Sequence, residues 1–395
     1  MTEKKQPLFT KALVLIAFSH VMTDLSAGAL PILLPFFKNA FDLTYTQVGI
    51  IVLTQNFASS VIQPLFGYLT DRYALSWLIP VGLLLAGLGT AATGLATSYN
   101  MLLTIVIVTG LGIAAFHPSA AKVVYAVSAS HIRGQSMSIF SLGGNLGQAC
   151  GSVFMMMLLT LPGSMANTLY FCLPALILST LVWMNLSQIS PKNGPQSVTK
   201  KKDQAGVPIP YMIVAILLGY IFLRTSISTG LTTYIPLYYA DYLGWSPVYA
   251  SYLLSGYLLS GVAGTFVGGT LGDKFGRKTV IVGSMILTVP LLAMLKYATG
   301  YWTLALLAVT GFVYISSFSS TIVLAQEMMP GREALAASLT TGFSIGMSGV
   351  SVTLLGRVAD IFGVPSVFTV IATIPLLALA LASFFPGRLF KPDNA

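Results

Sequence analysis

The chain has 395 residues, of which 55% are hydrophobic and only 8% charged. Soluble domains carry roughly 25% charged residues, so the composition excludes an ordinary soluble enzyme and reads as a polytopic membrane protein. A net charge of +9 would suggest a nucleic-acid partner in a soluble chain, but here the cations must first be located along the spans.

Apolar runs long enough to cross a bilayer, roughly 20 residues each, fall near 12–37, 46–70, 77–97, 101–125, 134–160, 165–186, 211–238, 247–271, 279–297, 301–324, 334–356 and 364–385. The expectation is therefore an all-α bundle of twelve transmembrane helices. The first run has no small-residue cleavage site and reads as a spanning helix, not a signal peptide. The softest boundary is Leu161-Pro162-Gly163-Ser164, between the fifth and sixth spans. Residues 187–210 form the long polar segment, with Lys200, Lys201 and Lys202. They divide the chain into an N-terminal half (1–186), a cytoplasmic linker (187–210) and a C-terminal half (211–395).

An ionisable side chain inside a bilayer costs about 2.5–3.5 kcal/mol, so each one is a functional candidate. In the first span His20 and Asp24 stand at i and i+4, on one helical face. They read either as a structural pair or as a protonation site facing a central cavity. Gln55, Ser59 and Gln63 form an i, i+4, i+8 stripe in the second span, with Asn56 beside it. These polar groups serve either as interhelical glue or as cavity lining. His117 precedes Pro118 in the fourth span, where proline removes a backbone donor and bends the helix. The fifth span carries a glycine ladder at Gly143, Gly147 and Gly151, and the eleventh at Gly342 and Gly346; this spacing lets helix backbones approach closely in lipid. Arg224 lies inside the seventh span with no acid within a helical turn. It calls for a wet cavity, a cross-helix carboxylate or an anionic substrate. Tyrosines 234, 238, 239, 242, 249 and 252 read mostly as an interfacial aromatic belt.

With the N-terminus inside, 16 of the 20 Lys and Arg residues fall on the cytoplasmic side, Lys38, Lys296 and Arg357 fall outside, and Arg224 lies within a span. By the positive-inside rule both termini are cytoplasmic. The basic surplus thus reflects membrane orientation, with the lipid bilayer as partner and no nucleic acid. Cys150 and Cys172 sit in apolar runs without metal or redox spacing. No phosphate loop, zinc-protease signature or serine elbow is present. A membrane enzyme is a poor second reading, and no metal or cofactor is expected.

Two short turns punctuate the apolar runs in a similar way. One is Gly67-Tyr-Leu-Thr-Asp71-Arg72, and the other is Gly269-Thr-Leu-Gly-Asp273-Lys-Phe-Gly276-Arg277-Lys278. The pattern resembles the signature loop of the major facilitator superfamily; the second copy is complete, and the first has Ala74-Leu75-Ser76 where Gly-Arg-Lys would stand. Further segments are similar to the fosmidomycin-resistance branch of that superfamily: Ser19-His20 through Asp24, Leu53 through Ser60 with Gln63-Pro64, Phe116-His117-Pro118, Ser138 through Asn145, and Ala325-Gln-Glu327 with Pro330-Gly-Arg332. The resemblance implies two pseudo-symmetric six-helix halves in the inner membrane and a proton-driven exporter acting as a monomer on a small, anionic, drug-like substrate. Asp24, His20 and His117 would couple protons. Arg224, Gln55, Asn56, Gln63 and Asn145 would face the substrate. Gly67, Asp71, Arg72, Gly269, Asp273, Gly276, Arg277, Lys278, Glu327 and Arg332 would switch the conformation. The alternative is a symporter or uniporter importing a metabolite.

Overall fold

The computed structural model describes residues 9–385 apart from 74, 130–131, 164, 190–210, 296, 330–339, 341 and 343. All regular structure among them is helical, and twelve helical stretches are long and apolar enough to cross a membrane. In chain order the helices are α1 (Lys11–Ala40), α2 (Tyr45–Ser60), α3 (Gln63–Arg72), α4 (Leu78–Ala92), α5 (Tyr99–Val127), α6 (Arg133–Leu159) and α7 (Cys172–Met184). They continue with α8 (Tyr211–Pro236), α9 (Pro247–Phe275), α10 (Arg277–Leu295), α11 (Tyr301–Ile315), α12 (Ser317–Met328), α13 (Ser344–Phe362) and α14 (Val364–Ser383).

Several expected spans are built from two pieces. The second breaks between α2 and α3, where Pro64 at the start of α3 lacks the N–H that a continuous helix would use. The tenth breaks at Ser316 between α11 and α12. The sixth enters through a 3-10 stretch, Met165–Phe171, just after the soft boundary. The eleventh differs most from its expected range of 334–356. Its helix continues to Phe362, and the early part of that range lies outside the described residues. Arg357 and Asp360 suggest an end in the sequence, but Asp360 has polar partners that let the helix carry it through its last turns.

By contacts the chain forms two compact units, residues 1–30 with 57–198, and residues 31–56 with 199–395. In the first, Gly143, Gly147 and Gly151 of α6 lie against the backbone at Ala17, Val21 and Leu25 of α1. Both series step by four residues, so each glycine meets a successive turn of α1, as the ladder predicts. In the second unit the close approaches that the described residues show lie elsewhere than at Gly342. Gly342 faces open space, and the close approaches of α13 fall at Gly349, against Leu53, and Gly356, against Tyr45. The first segment of the second unit is the end of α1 with most of α2, and glycines let α2 approach α13 closely.

Candidate functional site

The first unit brings His20, Asp24 and His117 together. His20 and Asp24 face each other one turn apart on α1, with His20 Nε2 3.3 Å from Asp24 Oδ2. His117 of α5 reaches the other carboxylate oxygen, Nε2 to Oδ1, at 3.0 Å. The two imidazole rings meet edge-on, 5.1 Å between centroids. The ring of His20 also stacks on Phe140 of α6 at 4.0 Å. Its Nδ1 lies 2.7 Å from the Phe140 backbone carbonyl. A carbonyl oxygen can only accept, so Nδ1 carries a hydrogen. The contact from Nε2 to Asp24 is then a hydrogen bond only if one more proton is present, as imidazolium with carboxylate or as imidazole with carboxylic acid. Gly144 closes the corner: a methyl group there would stand 2.5 Å from His20 Nε2 and 2.7 Å from Asp24 Oδ2.

Arg224 of α8, in the second unit, is buried to 7% exposure. Its Nε donates to Ser317 Oγ at 3.3 Å. The guanidinium carbon lies 5.1 Å from the centroid of Tyr314 and 5.3 Å from that of Phe318, within cation–π range. The Tyr314 hydroxyl donates to the Arg224 backbone carbonyl and anchors that turn of α8. Among the described residues no carboxylate pairs with Arg224, and a guanidinium offers five N–H donors of which one is used. Tyr220, Tyr257 and Ser320 have buried hydroxyls without a hydrogen-bond partner. Tyr220 lies one turn before Arg224 on α8, and Ser320 one turn after Ser317 on α12.

The remaining expected residues separate by role. Asn56 Nδ2 donates to Ser348 Oγ at 3.1 Å and joins α2 to α13. Gln55 is buried in α2, Gln63 is half-buried at the start of α3, and Asn145 is exposed on α6. At the complete signature loop, Gly276 ends α9 with φ 91°, a left-handed conformation that favours glycine, and its N–H returns to Gly272. Arg277 then pairs with Asp273 at 2.5 Å and with Glu327 of α12 at 3.5 Å. Lys278 donates to the Phe385 carbonyl at 3.0 Å, beside the end of α14. Gly269 has open space around it, and Gly67 only touches Pro118. At the incomplete copy Arg72 lies over the Tyr68 ring at 4.6 Å. The side chain of Asp71 and the whole of Arg332 lie outside the described residues.

A further polar cluster, at the start of α2, carries no signal in the sequence. Asp360 accepts from the Tyr45 N–H at 2.7 Å, the Thr46 N–H at 3.0 Å and the Thr46 hydroxyl at 2.5 Å. These are the donors that a helix start leaves unpaired. Asp241, in the π-helical turn after α8, accepts from the Tyr45 hydroxyl at 3.0 Å and pairs with Lys38 at 3.2 Å. At the same turn Tyr242 stacks on Tyr238 and Tyr239 meets Tyr238 edge-on, and Tyr234 and Tyr239 are buried, so part of the expected aromatic belt is internal packing.

The profile of the Major Facilitator Superfamily matches residues 16–238 and 216–394. The chain belongs to that superfamily. It is 33% identical to the fosmidomycin resistance protein of Escherichia coli (strain K12) over 96% of this chain and 92% of that one. It is equally identical to the uncharacterized MFS-type transporter YfnC of Bacillus subtilis (strain 168), over 95% and 92%. Quinolone resistance protein NorA of Staphylococcus aureus is 22% identical over 89% and 90%. Among solved structures, a bacterial homologue of the human lysosomal transporter Spinster, inward-facing and unoccupied, superimposes with a TM-score of 0.80 at 14% identity, covering 96% and 97%. The nucleoside transporter NupG gives 0.74 at 13%, covering 95% and 100%. These two share the fold. This superfamily member is thus a multi-pass membrane transporter, and its substrate is a small molecule.

Proposed function

We propose that the chain is a proton-coupled antiporter that exports a small anionic compound of the phosphonate or carboxylate kind. It would act as a monomer in the inner membrane, with both termini in the cytoplasm and six spans on each side of the 187–210 linker. The observation that carries the coupling is the fixed Nδ1 hydrogen of His20, which makes its contact with Asp24 depend on one further proton. With that proton and a neutral His117, the cluster is neutral overall. Without it the cluster carries one negative charge, which is costly inside a membrane. Protonation therefore changes the relative free energies of the two access states, as a driving ion must. Arg224 supplies the anion site: a guanidinium grips a planar or tetrahedral oxyanion through two parallel N–H groups. The names of the relatives, resistance to fosmidomycin and to quinolones, support the outward direction.

Charge counting favours one other reading, proton–anion symport. A proton on the His–Asp cluster and an anion on Arg224 each neutralise a separate charge, so binding both together leaves neither uncompensated. Everted vesicles with an acid interior separate the two. Antiport accumulates fosmidomycin inside against its gradient, whereas symport drives it out. Cysteines placed at Ser76 and in the 192–206 linker test the orientation. Labelling of either by an impermeant reagent from outside the cell contradicts it.

A further inference from the structure

We propose that His20, Asp24 and His117 also form a binding site for a divalent transition-metal ion of the zinc or cobalt class. Each residue offers one ligand atom, and the three atoms lie within 4.8 Å of one another. Metal–nitrogen and metal–oxygen bonds of about 2.0–2.2 Å in a tetrahedral shell put neighbouring donors roughly 3.3–3.5 Å apart. His20 Nε2 stands 3.3 Å from Asp24 Oδ2 and His117 Nε2 stands 3.0 Å from Asp24 Oδ1, so the carboxylate must turn to bring one oxygen, or both, onto an ion shared with the two imidazoles. The tautomer is also the right one. A ligating imidazole commonly donates its other ring N–H to a carbonyl or carboxylate, which fixes ring orientation and leaves the second nitrogen bare. The Phe140 carbonyl does this for His20.

Donor chemistry selects the metal. Two imidazoles and one carboxylate suit zinc, cobalt, nickel or copper, whereas magnesium and calcium take oxygen ligands. Gly144 offers only a hydrogen at this corner, where a Cβ would crowd both His20 Nε2 and Asp24 Oδ2. A water or a small anion would take the remaining position of the shell. No short spacing motif marks this set, because its ligands come from two helices, with His117 93 residues from Asp24. The metal and the proton would take the same lone pairs, so the ion would bind the deprotonated cluster in competition with the proton, and the two readings are tested by separate measurements.

The test uses the full-length protein purified without an oligohistidine tag and titrated with Co2+ in detergent. One ion per chain is expected, with the intense visible absorption of four- or five-coordinate cobalt, displaced by Zn2+. His20→Ala and His117→Ala should each weaken binding by roughly tenfold or more. His131→Ala, which alters the third histidine of the chain, should leave it unchanged. Should a variant fail to fold, X-ray absorption of the wild-type zinc complex decides the same question, with two imidazole nitrogens and carboxylate oxygen expected. No binding up to millimolar metal, equal binding in a folded His20→Ala/His117→Ala variant, or a sulfur or all-oxygen shell overturns the proposal. Fosmidomycin-linked proton movement, measured with a chelator present, tests the proton reading separately.

Discussion

The His20–Asp24–His117 cluster and the Arg224 site place ionisable groups inside a membrane protein in opposite ways. In the first, both oxygens of the carboxylate are met by imidazole nitrogens, and a backbone carbonyl fixes the ring that closes the set. In the second, a guanidinium has one hydroxyl partner, two aromatic faces and no carboxylate among the described residues. The first site has each of its polar groups matched by another. The second has no negative partner among the described residues, and its neighbours Tyr220 and Tyr257 hold buried hydroxyls without a hydrogen-bond partner. A buried polar group without a partner costs free energy, and a ligand that brings acceptors offsets that cost. On the proposed reading, partner count, not the presence of charge, separates a coupling site from a ligand site.

The largest effect is expected where the first site loses its titratable oxygen. Asp24→Asn should abolish ΔpH-driven pumping in vesicles while exchange down a substrate gradient continues. Pumping that survives would remove the proton role and, with it, the contrast between the two sites. Next in size is Arg224→Lys, which keeps the charge but loses the planar fork. A lost charge-assisted hydrogen bond is worth about 1.5–3 kcal/mol, or roughly ten- to a hundredfold in affinity for an anion. Unchanged affinity for fosmidomycin would remove the anion role. Asp273→Asn strips one partner from Arg277 at the motif loop, distant in sequence from both sites. It should slow transport about tenfold, on the order of 1.4 kcal/mol, with substrate affinity near normal; an equal loss in both would make it part of the binding site. The smallest change is Ser317→Ala, which removes the hydroxyl that orients Arg224. A neutral hydrogen bond of about 1 kcal/mol implies roughly a fivefold weaker anion, with pumping stoichiometry intact.

The twelve spans were legible because apolar length is a local property, and the signature loop was legible because its glycines and charges are contiguous. The i, i+4 relation of His20 and Asp24 could also be read along one helix. What closes that site could not. His117 arrives from another helix, and the decisive partner is the Phe140 carbonyl, a group that every residue possesses and no sequence marks. The same limit hid the aromatic faces around Arg224, since Tyr314 and Phe318 look like ordinary span residues. Asp360 and Asp241 read as the polar ends of helices. Only the fold shows that Asp360 caps the start of α2 and that Asp241 joins Lys38 to Tyr45. The glycine ladder succeeded on α6, where both helices repeat every four residues. On α13 the close approaches shown fall at Gly349 and Gly356, where the helix meets α2.

The most direct test of this two-site mechanism is calorimetric titration of the purified transporter with fosmidomycin in buffers of different ionisation enthalpy, with a chelator present. The buffer dependence of the measured heat counts protons exchanged on binding. Antiport through the two sites predicts release of protons by the wild type, little or none in Asp24→Asn with affinity largely kept, and lost affinity in Arg224→Lys. Proton uptake by the wild type, or release that persists in Asp24→Asn, would contradict it.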